Sequence, residues 1–249
     1  MDQRDSKFLP AMGQLAVILL VVFFAKTVAA EAYYVPSGSM QPTLLIGDEL
    51  VVSKFSYGYS RFSLPIAIGP AREERLFGRM PQRGDVVVFR LPRDPSQSYV
   101  KRVIGLPGDR VQMRDGRLWI NGVMLPLRRD GRGQVEMEDG GAEAASRYIE
   151  TLPGGREHPI FKLASGSSLD NTEAFEITTG HVFVMGDNRD DSADSRLAPE
   201  EGGVGMVPVE NLVGQVDFVL GSWDLGVTRR PVWTWASGLR LSRFFSAVN

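Results

Sequence analysis

Asp85-Val86-Val87-Val88-Phe89-Arg90 and Tyr99-Val100-Lys101-Arg102-Val103-Ile104 decide the fold class of this chain. Each is a short run of β-branched and aromatic residues, too brief for a helix, and Gly84 and the stretch Gly105-Leu106-Pro107-Gly108-Asp109 close them off with turn formers. The same texture recurs at Glu49 to Lys54, Arg110 to Met113, Leu118 to Ile120, Val182 to Met185 and Gln215 to Leu220. Asn121-Gly122, following Ile120, is a tight-hairpin signal. There is no helical repeat, no alternation of strands with helices and no internal duplication. The expected fold is mainly β, with antiparallel sheets forming a sandwich or partly open barrel.

Composition removes several kinds of chemistry. A formal net charge of -2 argues against nucleic acid, which calls for a basic face. Cysteine is absent, so the chain has no disulfide framework, no thiolate nucleophile and no cysteine-ligated zinc. The two histidines, His158 and His181, lie in neither H-E-x-x-H nor G-x-S-x-G contexts and read as structural; a Ser/His/Asp triad through His181 is the minor reading. Asp190 and Asp191 form one acidic cluster without histidine, a weak metal signal. No metal and no cofactor are expected.

Three segments concentrate polar chemistry. Pro36-Ser37-Gly38-Ser39-Met40-Gln41-Pro42-Thr43-Leu44 presents two hydroxyls on a glycine turn, and Lys101 sits inside an apolar strand. The third, Gly186-Asp187-Asn188-Arg189-Asp190-Asp191-Ser192-Ala193-Asp194-Ser195-Arg196, directly follows the strand-like His181 to Met185. A serine hydroxyl is a poor nucleophile until a base takes its proton. With no placed histidine, Lys101 is the available base, because burial among Tyr99, Val100, Val103 and Ile104 penalises the charged amine and lowers its pKa toward neutrality. Strand alternation puts Lys101 on the face of Tyr99 and Val103, with Arg102 opposite.

These motifs, in this order, resemble the type I signal peptidases, Ser/Lys endopeptidases that remove leader sequences from exported proteins. The resemblance implies Ser39 as nucleophile, Lys101 as general base, and the Ser37 hydroxyl with the Ser39 N–H as oxyanion hole. It implies that Ser192 hydrogen-bonds the lysine and that Asp194 and Arg196 pair to brace the loop. Asp187, Asn188 and Arg189 fall at supporting positions. Val35, Met40, Leu44, Leu50, Tyr99 and Val100 match positions of shallow apolar pockets that take small side chains at the residue before the scissile bond and two residues earlier, with Ser98 at a pocket edge. The implied partners are signal peptides, membrane lipids and a nearby secretion translocon, and the protein is expected as a monomer. A specialised pilin-processing relative and a non-catalytic membrane-anchored binding domain are the competing readings.

The apolar run Leu15 to Ala25 fits a transmembrane anchor over residues 13–30, preceded by a cytoplasmic tail at 1–12. Val28-Ala29-Ala30 also fits a cleavable signal, and composition alone does not choose. The short distance to Ser39 favours a retained anchor, because it sets the nucleophile at the membrane surface. The resemblance then places the protein in the bacterial inner membrane, single-pass, with its catalytic domain on the extracytoplasmic side. That domain is expected at 31–127 and 180–228, with an inserted β subdomain at 128–179 whose Gly/Glu/Arg-rich part, Arg128 to Ala145, reads as a mobile loop. The apolar stretch 62–80 and the aromatic-basic segment 229–249 suit either lipid contact or packing onto the domain.

Overall fold

The computed structural model describes residues 13–14, 17–18, 30–63, 75–138, 140–163, 167–224, 226–227 and 231–248. The expected anchor lies almost wholly outside them; no helix among the described residues is long and apolar enough to cross a membrane.

The strands are β1 (Ala30–Tyr34), β2 (Asp48–Ser53), β3 (Val86–Leu91), β4 (Asp94–Gly105), β5 (Arg110–Arg114), β6 (Arg117–Ile120), β7 (Val123–Met124), β8 (Leu127–Glu136), β9 (Ala142–Thr151), β10 (Glu157–Lys162), β11 (Phe175–Glu176), β12 (His181–Met185), β13 (Val207–Pro208), β14 (Leu212–Ser222) and β15 (Ser246–Ala247). The largest sheet runs β1-β2-β14-β3-β4-β12-β13, with β15 added to β14, and every pairing in it is antiparallel. Two small sheets accompany it, β10-β9-β8 and β11-β5-β6-β7. The mainly β, antiparallel expectation holds.

The unbroken Val86-Val87-Val88-Phe89 run has a physical reason. Successive strand residues face opposite ways, and both faces of β3 are covered: Val86 and Val88 pack with Val35, Met40, Leu50 and Val216, whereas Val87 and Phe89 pack with Val103, Val182, Val184 and Leu212. A strand buried on both sides has no use for polar alternation. At the tight hairpin, Asn121 and Gly122 both take positive φ, 52° and 79°, and join β6 to β7 as that dipeptide should.

The mobile loop expected at 128–145 is corrected: most of this stretch forms the two arms of a long ribbon, β8 pairing β9 from Leu127 opposite Glu150 to Glu136 opposite Ala142. Its polarity misleads because a ribbon needs only a narrow apolar strip, here Val135 and Ala145 packed against Phe161 of β10, while most other side chains of β8 stay exposed. The boundaries at 127/128 and 179/180 also cut through a sheet, since β11 pairs with β5. The C-terminal segment docks on the domain: β15 pairs with β14, and Arg240 and Arg243 reach Glu136 and Asp48. Trp233, Leu241 and Phe245 nevertheless remain exposed.

Candidate active site

The turn after β1 carries Ser37, Gly38 and Ser39 to the mouth of the large sheet. Asn188 holds it from the loop that follows β12. Its N–H donates to the Ser39 carbonyl at 3.0 Å and its Nδ2 to the Gly38 carbonyl at 3.3 Å. The hydroxyls of Ser37 and Ser39 lie 3.5 Å apart.

β4 brings Lys101 to the same point. Its Nζ stands 2.6 Å from Ser39 Oγ, and the side chain is buried. Burial lowers the amine's pKa from 10.5 to about 8; Asp194, Asp187 and Asp191 oppose that fall without cancelling it. The Tyr99 ring, with its centroid 5.6 Å from Nζ, forms part of the wall. A serine hydroxyl in hydrogen-bond contact with an amine that is readily neutral has a proton acceptor within reach.

The loop from Gly186 to Arg196 is a folded-in set of charges. Asp194 and Arg196 form a buried two-point pair, at 2.9 and 2.8 Å, and Asp194 also accepts the Gly186 N–H. Burial pushes the Asp194 carboxyl up, but Arg196 and the two backbone N–H groups win and hold it below the usual range. Asp187 meets Arg102 in a second two-point pair, 2.9 and 2.7 Å, and accepts from Thr43. Arg189 grips both oxygens of Glu150, and His158 fits between Glu150 and Asp187 at 3.5 and 3.9 Å. Burial drives the His158 pKa down to about 4, so the ring is neutral at ordinary pH. Ser192 Oγ is buried and has no hydrogen-bond partner among the described residues. It rests against Gly186, where any Cβ would come within 2.3 Å of Ser192 Oγ and 2.5 Å of the Ser39 carbonyl, so glycine is required there. The hydrogen bond to Lys101 implied by the resemblance is therefore not made in this structure.

A groove of about 360 Å³ opens on Ser39 and Lys101. Of the six expected pocket residues, Leu50, Tyr99 and Val100 line it. Val35, Met40 and Leu44 do not: they are buried in the core beneath the turn, where their apolar character serves packing. Ser98 lines the groove, joined by Tyr33, Tyr34 and Val88 and by the carboxylates Glu138 and Asp191.

The family model described as signal peptidase, peptidase S26, matches residues 9–223. The chain belongs to this signal peptidase family. Signal peptidase I of Rickettsia typhi is 37% identical over 244 residues, covering 92% of this chain and 89% of that protein. Signal peptidase I of Rickettsia akari is 36% identical over 249 residues, with the same coverage. A solved signal peptidase I from Enterococcus faecalis V583 is 28% identical, covering 55% of this chain and 97% of its own, with a TM-score of 0.33. The protein is thus a serine endopeptidase of the signal peptidase I kind.

Within this signal peptidase, the sequence reading did not assemble the buried charge cluster: Arg102 with Asp187, Glu150 with Arg189 and His158, and the Thr43 hydroxyl on Asp187. His158 is on strand β10. The one available signal was Arg102 itself, a second cation in an apolar strand with no hydroxyl motif to serve. His181 stands at the start of β12 among Thr178 and Thr179, facing a different cavity from the serine's.

Proposed function

We propose that this chain is a membrane-anchored endopeptidase that removes N-terminal signal peptides from exported pre-proteins after a small-x-small site, using Ser39 as nucleophile and Lys101 as general base. The observation that carries the reading is the 2.6 Å contact between Ser39 Oγ and a buried amine with pKa about 8.

Neutral Lys101 takes the Ser39 proton as Oγ attacks the carbonyl of the residue before the scissile bond. The resulting oxyanion is met by the Ser37 hydroxyl and the Ser39 N–H, and each such donor contributes on the order of 2.7–4 kcal/mol. Collapse breaks the peptide bond and expels the amine of the mature protein, which receives the proton held by Lys101. Water that loses a proton to the same amine then attacks the acyl ester, the C–Oγ bond breaks, and Lys101 returns that proton to Ser39 Oγ, which restores the hydroxyl and the neutral amine. The resemblance gives Ser192 the task of orienting Lys101, and its hydroxyl lies buried against Gly186, so Ser192→Ala is expected to lower turnover without abolishing it.

The apolar groove holds an extended leader, and Leu50, Tyr99 and Val100 leave room for alanine-sized side chains. Residues 13–30 anchor the enzyme in the bacterial inner membrane with the catalytic domain on the extracytoplasmic side, near the translocon. Trp233, Leu241 and Phe245 meet the lipid. Purified protein in detergent, incubated with several unrelated pre-proteins, is expected to cut each after the small-x-small site, read by mass spectrometry of the products. Cleavage of one pre-protein only would indicate a specialised processing enzyme; cleavage unaffected by Ser39→Ala would overturn the mechanism.

A further inference from the structure

Gln41 stands two residues past the nucleophile, is wholly buried, and spends its side-chain amide on a strand 95 residues away. Its Nε2 donates to the Glu136 carbonyl at 2.8 Å, and its Oε1 accepts the Glu136 N–H at 2.9 Å. The side chain thereby acts as one more rung of a β ladder at the end of β8. Meanwhile the Gln41 backbone N–H donates to the Gly38 carbonyl at 3.1 Å. Gly38 must lack a side chain for this arrangement, since a Cβ there would lie 2.6 Å from Gln41 Nε2 and 3.0 Å from the Glu136 carbonyl.

The Gly38 carbonyl belongs to the same planar peptide unit as the Ser39 N–H. Fixing the oxygen of a planar unit fixes the direction of its hydrogen. Asn188 Nδ2 and the Gln41 N–H both hold that oxygen, so between them they aim the Ser39 N–H. Glu136 is gripped in turn from the C-terminal segment, where Arg240 Nη2 lies 2.8 Å from each carboxylate oxygen and Nη1 donates to the Ile46 carbonyl at 2.8 Å.

We propose that Gln41 is a positioning residue for the oxyanion hole, locked by the β8–β9 ribbon, and that Arg240 of the C-terminal segment sets this lock through Glu136. The inference rests on the Ser39/Lys101 reading and adds to it a line of contacts from the chain's end to the nucleophile turn. Because the held group stabilises the tetrahedral state and not the bound substrate, losing the lock lowers kcat and leaves KM.

The test uses the full chain in detergent with a small-x-small peptide, and a peptide boronic acid of matching sequence that forms a tetrahedral adduct on a serine hydroxyl. Gln41→Met, similar in size but without the hydrogen bonds, is expected to lose roughly tenfold to a hundredfold in kcat, part of what losing an oxyanion donor costs. KM should stay within about threefold, the boronate should weaken by the same factor as kcat, and the pH midpoint should not move, since Lys101 is untouched. Glu136→Gln and Arg240→Gln, made on partly exposed side chains outside the hydrophobic core clusters, should each cost about threefold in kcat, with the double variant no worse than either. Wild-type kcat in Gln41→Met, or a loss confined to KM with boronate affinity intact, overturns the proposal. Additive losses in Glu136→Gln/Arg240→Gln break the tail's part in it. Ser39→Ala on the same peptide separates the two readings: retained cleavage sinks the Ser/Lys mechanism, whereas a dead Ser39→Ala beside a fully active Gln41→Met sinks this inference alone.

Discussion

Lys101 and Arg102 are consecutive residues of one strand, both cationic and both buried, at 3% and 0% exposure. The protein treats them in opposite ways. Arg102 meets the Asp187 carboxylate in a two-point pair and also donates to the Gly84 carbonyl at 2.7 Å, so its charge is matched where it lies. Lys101 meets a neutral hydroxyl, and burial makes its charge the costly form. Burial by itself therefore does not decide what a cation does. A matched guanidinium, which cannot shed its proton, becomes a fastener, while a desolvated amine, which can, becomes a base.

The sharpest break in that comparison is catalytic. Ser39→Ala and Lys101→Ala are each expected to abolish cleavage with the fold retained, because in the proposed mechanism the two act as one unit. Arg102→Met should instead leave the pair in place and damage the fold. Asp187 would be left buried without its guanidinium, a loss of about 3–5 kcal/mol by denaturant unfolding. A double Arg102→Met/Asp187→Leu variant should recover much of that loss. If Arg102→Met unfolds at the wild-type denaturant concentration, the pair is not a fastener.

The stability of the Lys101 site should run with pH in the direction its pKa requires. Its folded value of about 8 lies below the ordinary 10.5, so the unfolded chain binds the extra proton between those values and stability rises with pH across that window. Below pH 8 the full cost applies, roughly 3 kcal/mol at 1.36 kcal/mol per pKa unit. Lys101→Met should therefore be more stable than wild type at pH 7, and the advantage should shrink toward pH 10.5. Urea unfolding across pH 7 to 10 checks this. Asp187 gives the same sign in a different window: burial would raise its pKa, but Arg102 outweighs it and holds the group low, so its stabilising contribution is present at neutral pH and disappears as pH falls into the acid range.

The smallest effect expected is at Asp191, an exposed carboxylate that lines the groove and raises the Lys101 pKa. Asp191→Asn removes that support for the ammonium, so the acid limb of kcat/KM should move to lower pH, with the shift fading in high salt. An unmoved or alkaline-shifted limb would mean that Asp191 does not act on the base.

Much of the site was legible before folding because its chemistry is local. Ser37, Gly38 and Ser39 share one turn, Asp194 pairs with a residue two positions away, and an apolar run around Lys101 announces a buried amine. The pockets were half legible: Leu50, Tyr99 and Val100 line the groove, while Val35, Met40 and Leu44 have the same apolar character but sink into the core. Hydrophobicity says that a side chain avoids water, not which wall it avoids it behind. The ribbon at 127–151 was misread for a related reason, since β pairing is satisfied by backbone groups that every residue carries, and a polar stretch forms strands once a partner arrives in register.

By itself, the sequence determined the β character of the chain, the absence of thiol chemistry, and the residue types able to act as nucleophile and base. Only the tertiary structure decided that Arg102 finds Asp187, that Arg189 and His158 meet Glu150, and that Gln41 reaches Glu136 with Arg240 beyond it. His158 and Glu150 sit close in sequence, on paired strands, but the other partners lie between 39 and 104 residues apart along the chain, too far for any local pattern to record them, and become neighbours only when the sheets assemble.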